Sequence, residues 1–258
     1  MQHLVCDGVK LAYETASSGE PALLFVHGWA CDHSFFAPQY MHFAPRHRVV
    51  AVDLRGHGES DAPQQAYTMA GFADDLAWMC GGLGIERAVV VGHSMGGLVT
   101  LALASTRPDL VRAAVLVDMS VVLTQAELDV RVRLGEELRA GGLEKARAYA
   151  EAMFLPSDDA ARRARLVERM LRTPLHVAAA CFAGIGGFDM AAAACSCRQP
   201  MLYIGASNPR GDARALRELV PQLAIGQMVG SGHFNQLEVP DQVNAMIERF
   251  LAVGLADS

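Results

Sequence analysis

Apolar residues follow two rhythms along the 258-residue chain, and these predict two kinds of element. Short continuous runs rich in β-branched residues read as strands buried on both faces. They are Ala22 to Val26, Val49 to Val52 within a strand from His47 to Asp53, Arg87 to Val91, Ala113 to Val117, Met201 to Gly205 and Ile225 to Val229. Residues 3–15 instead alternate about Asp7-Gly8, the pattern of a hairpin with a two-residue turn. Helical stretches lie between the runs. Met69 to Cys80 reads as a helix ended by Gly81, Gly82 and Gly84, and Gly97 to Ala104 as a buried helix that stops before Pro108. Pro240 opens a last helix whose Val243, Met246, Ile247, Phe250 and Leu251 share one face.

The pattern changes near Ser120. From there to about Cys197 no strand-like run occurs. Charged, alanine-rich helical stretches cover Gln125 to Arg139, Leu143 to Met153 and Ser157 to Arg172. The last has Ser157 as its N-cap and Asp158 and Asp159 in its first turn, as the helix dipole favours. The arginines of this region are spaced like a solvated helix face. Strands alternating with helices predict an α/β fold, a mainly parallel sheet flanked by helices. Residues 1–119 and 198–258 would form its core and residues 120–197 an inserted helical cap.

In such sheets, sites lie beyond the C-terminal ends of the strands. His27, Asp53, Ser94, Asp118, Asn208 and His233 each fall just after a predicted strand, so all belong to one edge. The strongest signal is Gly92-His93-Ser94-Met95-Gly96, between a strand and a helix. Gly-x-Ser-x-Gly in that setting is a nucleophile elbow, whose strained turn pushes the serine hydroxyl outward. The following helix points its free N–H groups at the site and favours developing negative charge. Serine at neutral pH needs a base within hydrogen-bond reach. His233, in the loop Gly230 to Phe234, can return over Ser94. Acyl transfer also needs two N–H donors for the tetrahedral oxygen. The Met95 backbone N–H is one candidate, and the Trp29 backbone N–H of His27-Gly28-Trp29 is the other. The carboxylate that orients the imidazole has two possible sources, Asp118 and the loop Gly205 to Asp212. In Asp53 to Ser60, Arg55 reads as a partner for local carboxylates or carbonyls.

Composition adds limits. A hydrophobic content of 52% suffices for one large core with a small lid. The net charge of −6 is spread along the chain, which argues against nucleic acid or an acidic membrane surface as partner. No apolar stretch reaches the roughly 20 residues of a membrane span. Met1 to Asp7 lacks the basic-then-apolar build of a signal peptide. Cys6, Cys31, Cys80, Cys181, Cys195 and Cys197 include no C-x-x-C pair and read as reduced, mostly buried thiols. The expectation is a cytoplasmic protein with a small-molecule substrate, no cofactor and no metal; a homodimer stays open.

Taken together, His27-Gly28-Trp29, Asp53 to Ser60, Gly92 to Gly97, Gly232-His233 and the helical insertion resemble the α/β-hydrolase fold superfamily over nearly the whole chain. Members of that family usually carry Asp three residues after a glycine like Gly205, where this chain has Asn208. An amide can orient a histidine but cannot stabilise imidazolium by charge. Some relatives place the acid after the preceding strand, which favours Asp118, with Asp212 and then Asn208 as alternatives. The resemblance implies a serine hydrolase of small or medium carboxylic esters or lactones, acting through an acyl-enzyme on Ser94. Carbon–carbon bond hydrolysis of a ring-cleavage product and a cofactor-free oxygenase remain alternatives. So does a ligand-binding module on a hydrolase scaffold.

Overall fold

The continuous apolar runs become the inner strands of an eight-stranded sheet with order β1-β2-β4-β3-β5-β6-β7-β8. The computed structural model describes residues 1–121, 124–209 and 211–255. Val122 and Leu123 of the expected insertion, Arg210 and residues 256–258 lie outside the described residues. Strands β1 (Gln2–Cys6) and β2 (Val9–Ala16) form the expected antiparallel hairpin. Its turn is Asp7-Gly8, with positive φ of 48° and 80°. After β3 (Ala22–Val26) come a short 3-10 turn, His33–Phe36, and helix α1 (Ala37–Phe43), then β4 (Val49–Val52). Helix α2 (Met69–Gly82), β5 (Ala88–His93), α3 (Met95–Thr106) and β6 (Val111–Val117) follow. The insertion holds α4 (Gln125–Glu151), α5 (Ala160–Met170), α6 (Leu175–Gly186) and α7 (Met190–Ser196). The sheet resumes with β7 (Met201–Gly205), α8 (Ala213–Leu219) and β8 (Leu223–Gln227). The chain ends with α9 (Asn235–Glu238) and α10 (Pro240–Gly254).

From β4 onward across the sheet, every pairing is parallel. Strand residues alternate between two cores. Leu24, Val26, Val50, Val52, Val90 and Leu116 pack with α2 and α3 on one face. Leu23, Phe25, Val49, Ala51, Val89 and Val115 pack on the other with α1 and α10, through Phe43, Val243, Ile247 and Phe250. Both side-chain sets of each inner strand are buried, so the runs are apolar at every position. Among the described residues no single helix is long and apolar enough to cross a membrane.

Several boundaries differ from expectation, each for a local reason. Asp159, not Ser157, caps α5: the Asp158 carboxylate first accepts the Leu155 N–H at 2.7 Å, and Asp159 then accepts the Arg162 N–H at 2.6 Å. The two helical stretches before it are joined as α4, which turns at Gly142 with φ 62°. Strand β8 covers 223–227 rather than 225–229 because pairing with β7 sets its register, and Val229 is exposed. Apolar periodicity does not mark α1, α6, α7 or α8.

Candidate active site

Strands β5, β6 and β7 end side by side, and their C-terminal edge assembles the site. Ser94 follows β5 with φ 53° and ψ −117°, a left-handed conformation rare for a residue with a Cβ. The turn is held by close backbone approach. A Cβ on Gly92 would strike the Gly96 carbonyl and Thr100 Oγ1, and one on Gly96 would strike the Val26 and His27 carbonyls. Gly92→Ala is therefore expected to lower stability by about 2 kcal/mol or more through overpacking. Urea unfolding checks this, and an unchanged midpoint would contradict the tight elbow.

His233 reaches back over this turn from the loop after β8. Its Nε2 lies 3.0 Å from Ser94 Oγ, and its Nδ1 lies 2.7 Å from Asp118 Oδ2. Asp118 follows β6 at φ 40° and is fully buried. Its other oxygen accepts the Ala206 N–H at 3.1 Å, so the loop after β7 fixes the carboxylate. A buried carboxylate holds Nδ1–H in place and leaves Nε2 to accept the serine proton. The sequence alternatives sit elsewhere. Asp212 is exposed and caps α8, accepting from Arg214 N–H at 2.9 Å and Ala215 N–H at 3.3 Å. Asn208 is exposed on the loop after β7.

Two residues that spacing did not single out set the histidine loop. The Glu238 carboxylate accepts Gly232 N–H at 2.5 Å and Phe234 N–H at 3.2 Å, bracketing His233. Burial pushes the Glu238 carboxyl up despite those donors. His93 approaches the His233 carbonyl with its Nε2 at 2.9 Å, and the two rings stand 4.6 Å apart.

Beside Ser94 the backbone offers two N–H groups. Among the described residues neither the Trp29 nor the Met95 N–H donates a hydrogen bond. Met95 begins α3, so the helix dipole adds to its donor. Trp29 is anchored by Nε1–H, which donates to the Ala178 carbonyl of α6 at 2.8 Å. A Cβ on Gly28 would crowd the His93 ring and Ser94, so glycine lets this loop approach the elbow.

The flanking histidines are structural. His27 Nε2 accepts the Leu54 N–H at 3.0 Å and its Nδ1–H donates to the Gly28 carbonyl at 2.8 Å, which ties the loop down. His57 sits 5.1 Å from the His27 ring, and burial first, then the His27 charge, pushes its pKa down to about 3. It is neutral across the ordinary pH range. Arg55 forms an ion pair with Asp75 on α2.

Asp32, His33 and Asp53 place three metal-type ligand atoms within 4.8 Å of one another, yet each is engaged inside the protein. Asp53 accepts from the His33 N–H and lies 2.8 Å from His33 Nδ1, while Asp32 pairs with Arg169 of α5. Burial works to raise the Asp32 carboxyl, but hydrogen bonds from Arg169 and Ser34 outweigh it and hold it below its ordinary value. The stabilisation is therefore present above the ordinary carboxylate range and is lost as pH falls through the folded value. Asp32→Asn is expected to lower Tm at pH 7 by about 2–4 °C, corresponding to about 1 kcal/mol. The gap to wild type should begin to narrow near about pH 4 and close as pH falls through the lowered folded value. A gap that persists in acid would contradict the ion pair as its source.

Ser94 and His233 open into a cavity of about 30 Å³. Its walls include Trp29, Leu98, Met153, Phe182 and Ile185, with Arg131 and Tyr149 from α4. Wider grooves of about 350 and 430 Å³ run along Tyr67 but include none of Ser94, His233 or Asp118. The hydrogen-bonded Ser94, His233 and Asp118, rather than the largest volume, mark the candidate site.

The sequence profile of the alpha/beta hydrolase fold matches residues 21–240. A 2-(acetamidomethylene)succinate hydrolase of Mesorhizobium japonicum is 30% identical over 246 residues, covering 90% of this chain and 88% of its own. An esterase from Thermogutta terrifontis, with malate bound, superposes with TM-score 0.88 at 25% identity and covers 98% of each chain. The enol-lactonase from Burkholderia xenovorans gives TM-score 0.88 at 23% identity over 97% of this chain and 100% of that one, a likeness of fold alone.

Proposed function

The chain belongs to the alpha/beta hydrolase fold family, and from that premise we propose that it is a serine hydrolase of a small or medium carboxylic ester or lactone. The observation that carries this is the unbroken run of hydrogen bonds from Ser94 Oγ through the His233 ring to Asp118. Ser94 Oγ attacks the carbonyl carbon while His233 Nε2 takes its proton. The Trp29 and Met95 backbone N–H groups receive the charge that gathers on the carbonyl oxygen. The tetrahedral intermediate collapses, the C–O bond to the alcohol breaks, and His233 gives its proton to the departing oxygen. Water, deprotonated by the same nitrogen, then attacks the acyl-enzyme and releases the acid and Ser94. Asp118 holds the ring and offsets the imidazolium charge throughout. No cofactor enters this sequence.

A cavity of about 30 Å³ admits a few waters rather than an ester. Residues 120–197 therefore act as a cap that moves for the substrate to enter, and they favour compact substrates over polymers. The esterase and the succinate-derivative hydrolase among the relatives support a small acyl compound.

The acyl-enzyme has a direct chemical test. Esters of one acid with different alcohols share the same acyl-enzyme. Added hydroxylamine should divide all of them between hydroxamate and free acid in one common ratio. A ratio that changes with the alcohol would rule out the shared intermediate.

A further inference from the structure

We propose that Arg131 is the specificity residue of this site and that it receives a free carboxylate on the acyl part of the substrate. The inference rests on the serine-hydrolase reading and narrows its substrate class to esters or lactones carrying a second, ionised carboxyl group.

The placement follows from the helix seam. Leu128, Arg131, Gly135 and Leu138 recur on α4 at three- and four-residue spacing, so they share one face. Gly135 and Leu138 on that face are buried. A Cβ on Gly135 would crowd the Ala179 carbonyl and Phe182, so α4 is pressed against α6 there. Arg131 lies one turn before Gly135 and only partly exposed, and its side chain lines the cavity beside Ser94 and His233. The regular arginine spacing of this region therefore conceals two populations. Arg133 and Arg139 are exposed, whereas Arg131 turns inward.

The charge at this position is unbalanced. Arg147 pairs with Glu168 and Arg169 with Asp32. Among the described residues the Arg131 side chain has no hydrogen bond and no ion pair. Among the described residues the cavity walls contain no aspartate or glutamate, and most of them are apolar. A guanidinium in such surroundings loses hydration without gaining a protein partner. An anion arriving with the substrate supplies one, and in a partly buried, mostly apolar site the attraction is stronger than in bulk. A carboxylate matches the planar guanidinium fork through two parallel hydrogen bonds. A phosphate, with its higher charge, would call for more than the one guanidinium that the described lining residues supply. Arg131 and Ser94 line one cavity, so a compact substrate admitted by the cap and carrying its second carboxylate a few bonds from the scissile carbonyl, such as a monoester of a short dicarboxylic acid, would reach both.

The test compares monomethyl succinate with methyl isocaproate, its neutral isostere, by methanol release. Wild type should favour the anionic ester in kcat/KM by about tenfold or more. Arg131→Gln should lower that preference about 10- to 100-fold, chiefly through KM, and Arg131→Lys should recover part of it. In parallel, calorimetry measures monomethyl succinate binding to Ser94→Ala, with and without Arg131→Gln. Binding should be present in the first and lost in the second. An unchanged preference in Arg131→Gln, or no binding to Ser94→Ala, overturns the carboxylate role. Arg131-dependent binding in a protein that cleaves neither ester would uphold carboxylate recognition and overturn serine hydrolysis. Cleavage of both esters with a preference indifferent to Arg131 would do the reverse.

Discussion

Ser94→Ala is expected to lower kcat for p-nitrophenyl butyrate by about 10⁵- to 10⁶-fold, as loss of a serine nucleophile does elsewhere. In the proposed reaction the hydroxyl oxygen is the atom that forms the new bond, and it lies 3.0 Å from His233 Nε2. His27 and His57 are engaged with backbone groups. The Asp118 carboxylate stands behind the His233 ring. The variant should fold, since alanine removes one partly exposed oxygen and leaves the elbow's backbone unchanged. Stopped-flow turnover together with a melting curve checks both statements. Retained turnover in a folded Ser94→Ala protein would remove Ser94 from the chemistry and favour the oxygenase alternative, in which His and Asp matter more than Ser.

Asp118→Asn is expected to lower kcat by about 10⁴-fold, while Asp212→Asn stays within about twofold of wild type. The difference lies in what each oxygen accepts. Asp118 receives the His233 Nδ1–H on one oxygen and the Ala206 N–H on the other. An asparagine can satisfy only one of these with oxygen. If its NH₂ faces the ring, Nδ1 becomes the acceptor and Nε2 carries the proton, so the imidazole cannot take one from Ser94. Asp212 instead accepts backbone N–H groups at the start of α8, a task asparagine performs as well. Steady-state kinetics on the two variants decide the assignment. An inactive Asp212→Asn beside an active Asp118→Asn would reverse it.

The inner strands were legible because burial on both faces writes itself as continuous β-branched runs. The elbow was legible because its glycines answer to close backbone contacts within a few residues. The rest depends on distant partners. Helix α6, Leu175–Gly186, is apolar nearly all round, so it shows no stripe from which a helix could be recognised. Before α1, Asp32 caps the 3-10 turn and Pro38 lies in the first turn of the helix, both readable signals, but α1 has no apolar periodicity. Sequence order alone left Asp118, Asp212 and Asn208 in competition. In the structure the Asp118 carboxylate lies against His233 Nδ1, whereas Asp212 caps α8 and Asn208 is exposed. Arg131 could have been found from its helical register with Gly135 and Leu138, yet the many arginines around it hide that register. Glu238 acts through the backbone of Gly232 and Phe234, a role that residue type does not announce.

The most direct test of the central claim is the intact mass of the protein after reaction with a fluorophosphonate, followed by peptide mapping. The account expects a single adduct on Ser94, coincident with loss of esterase activity, and no adduct on Ser94→Ala. An adduct on another residue, or none while ester turnover continues, would contradict it.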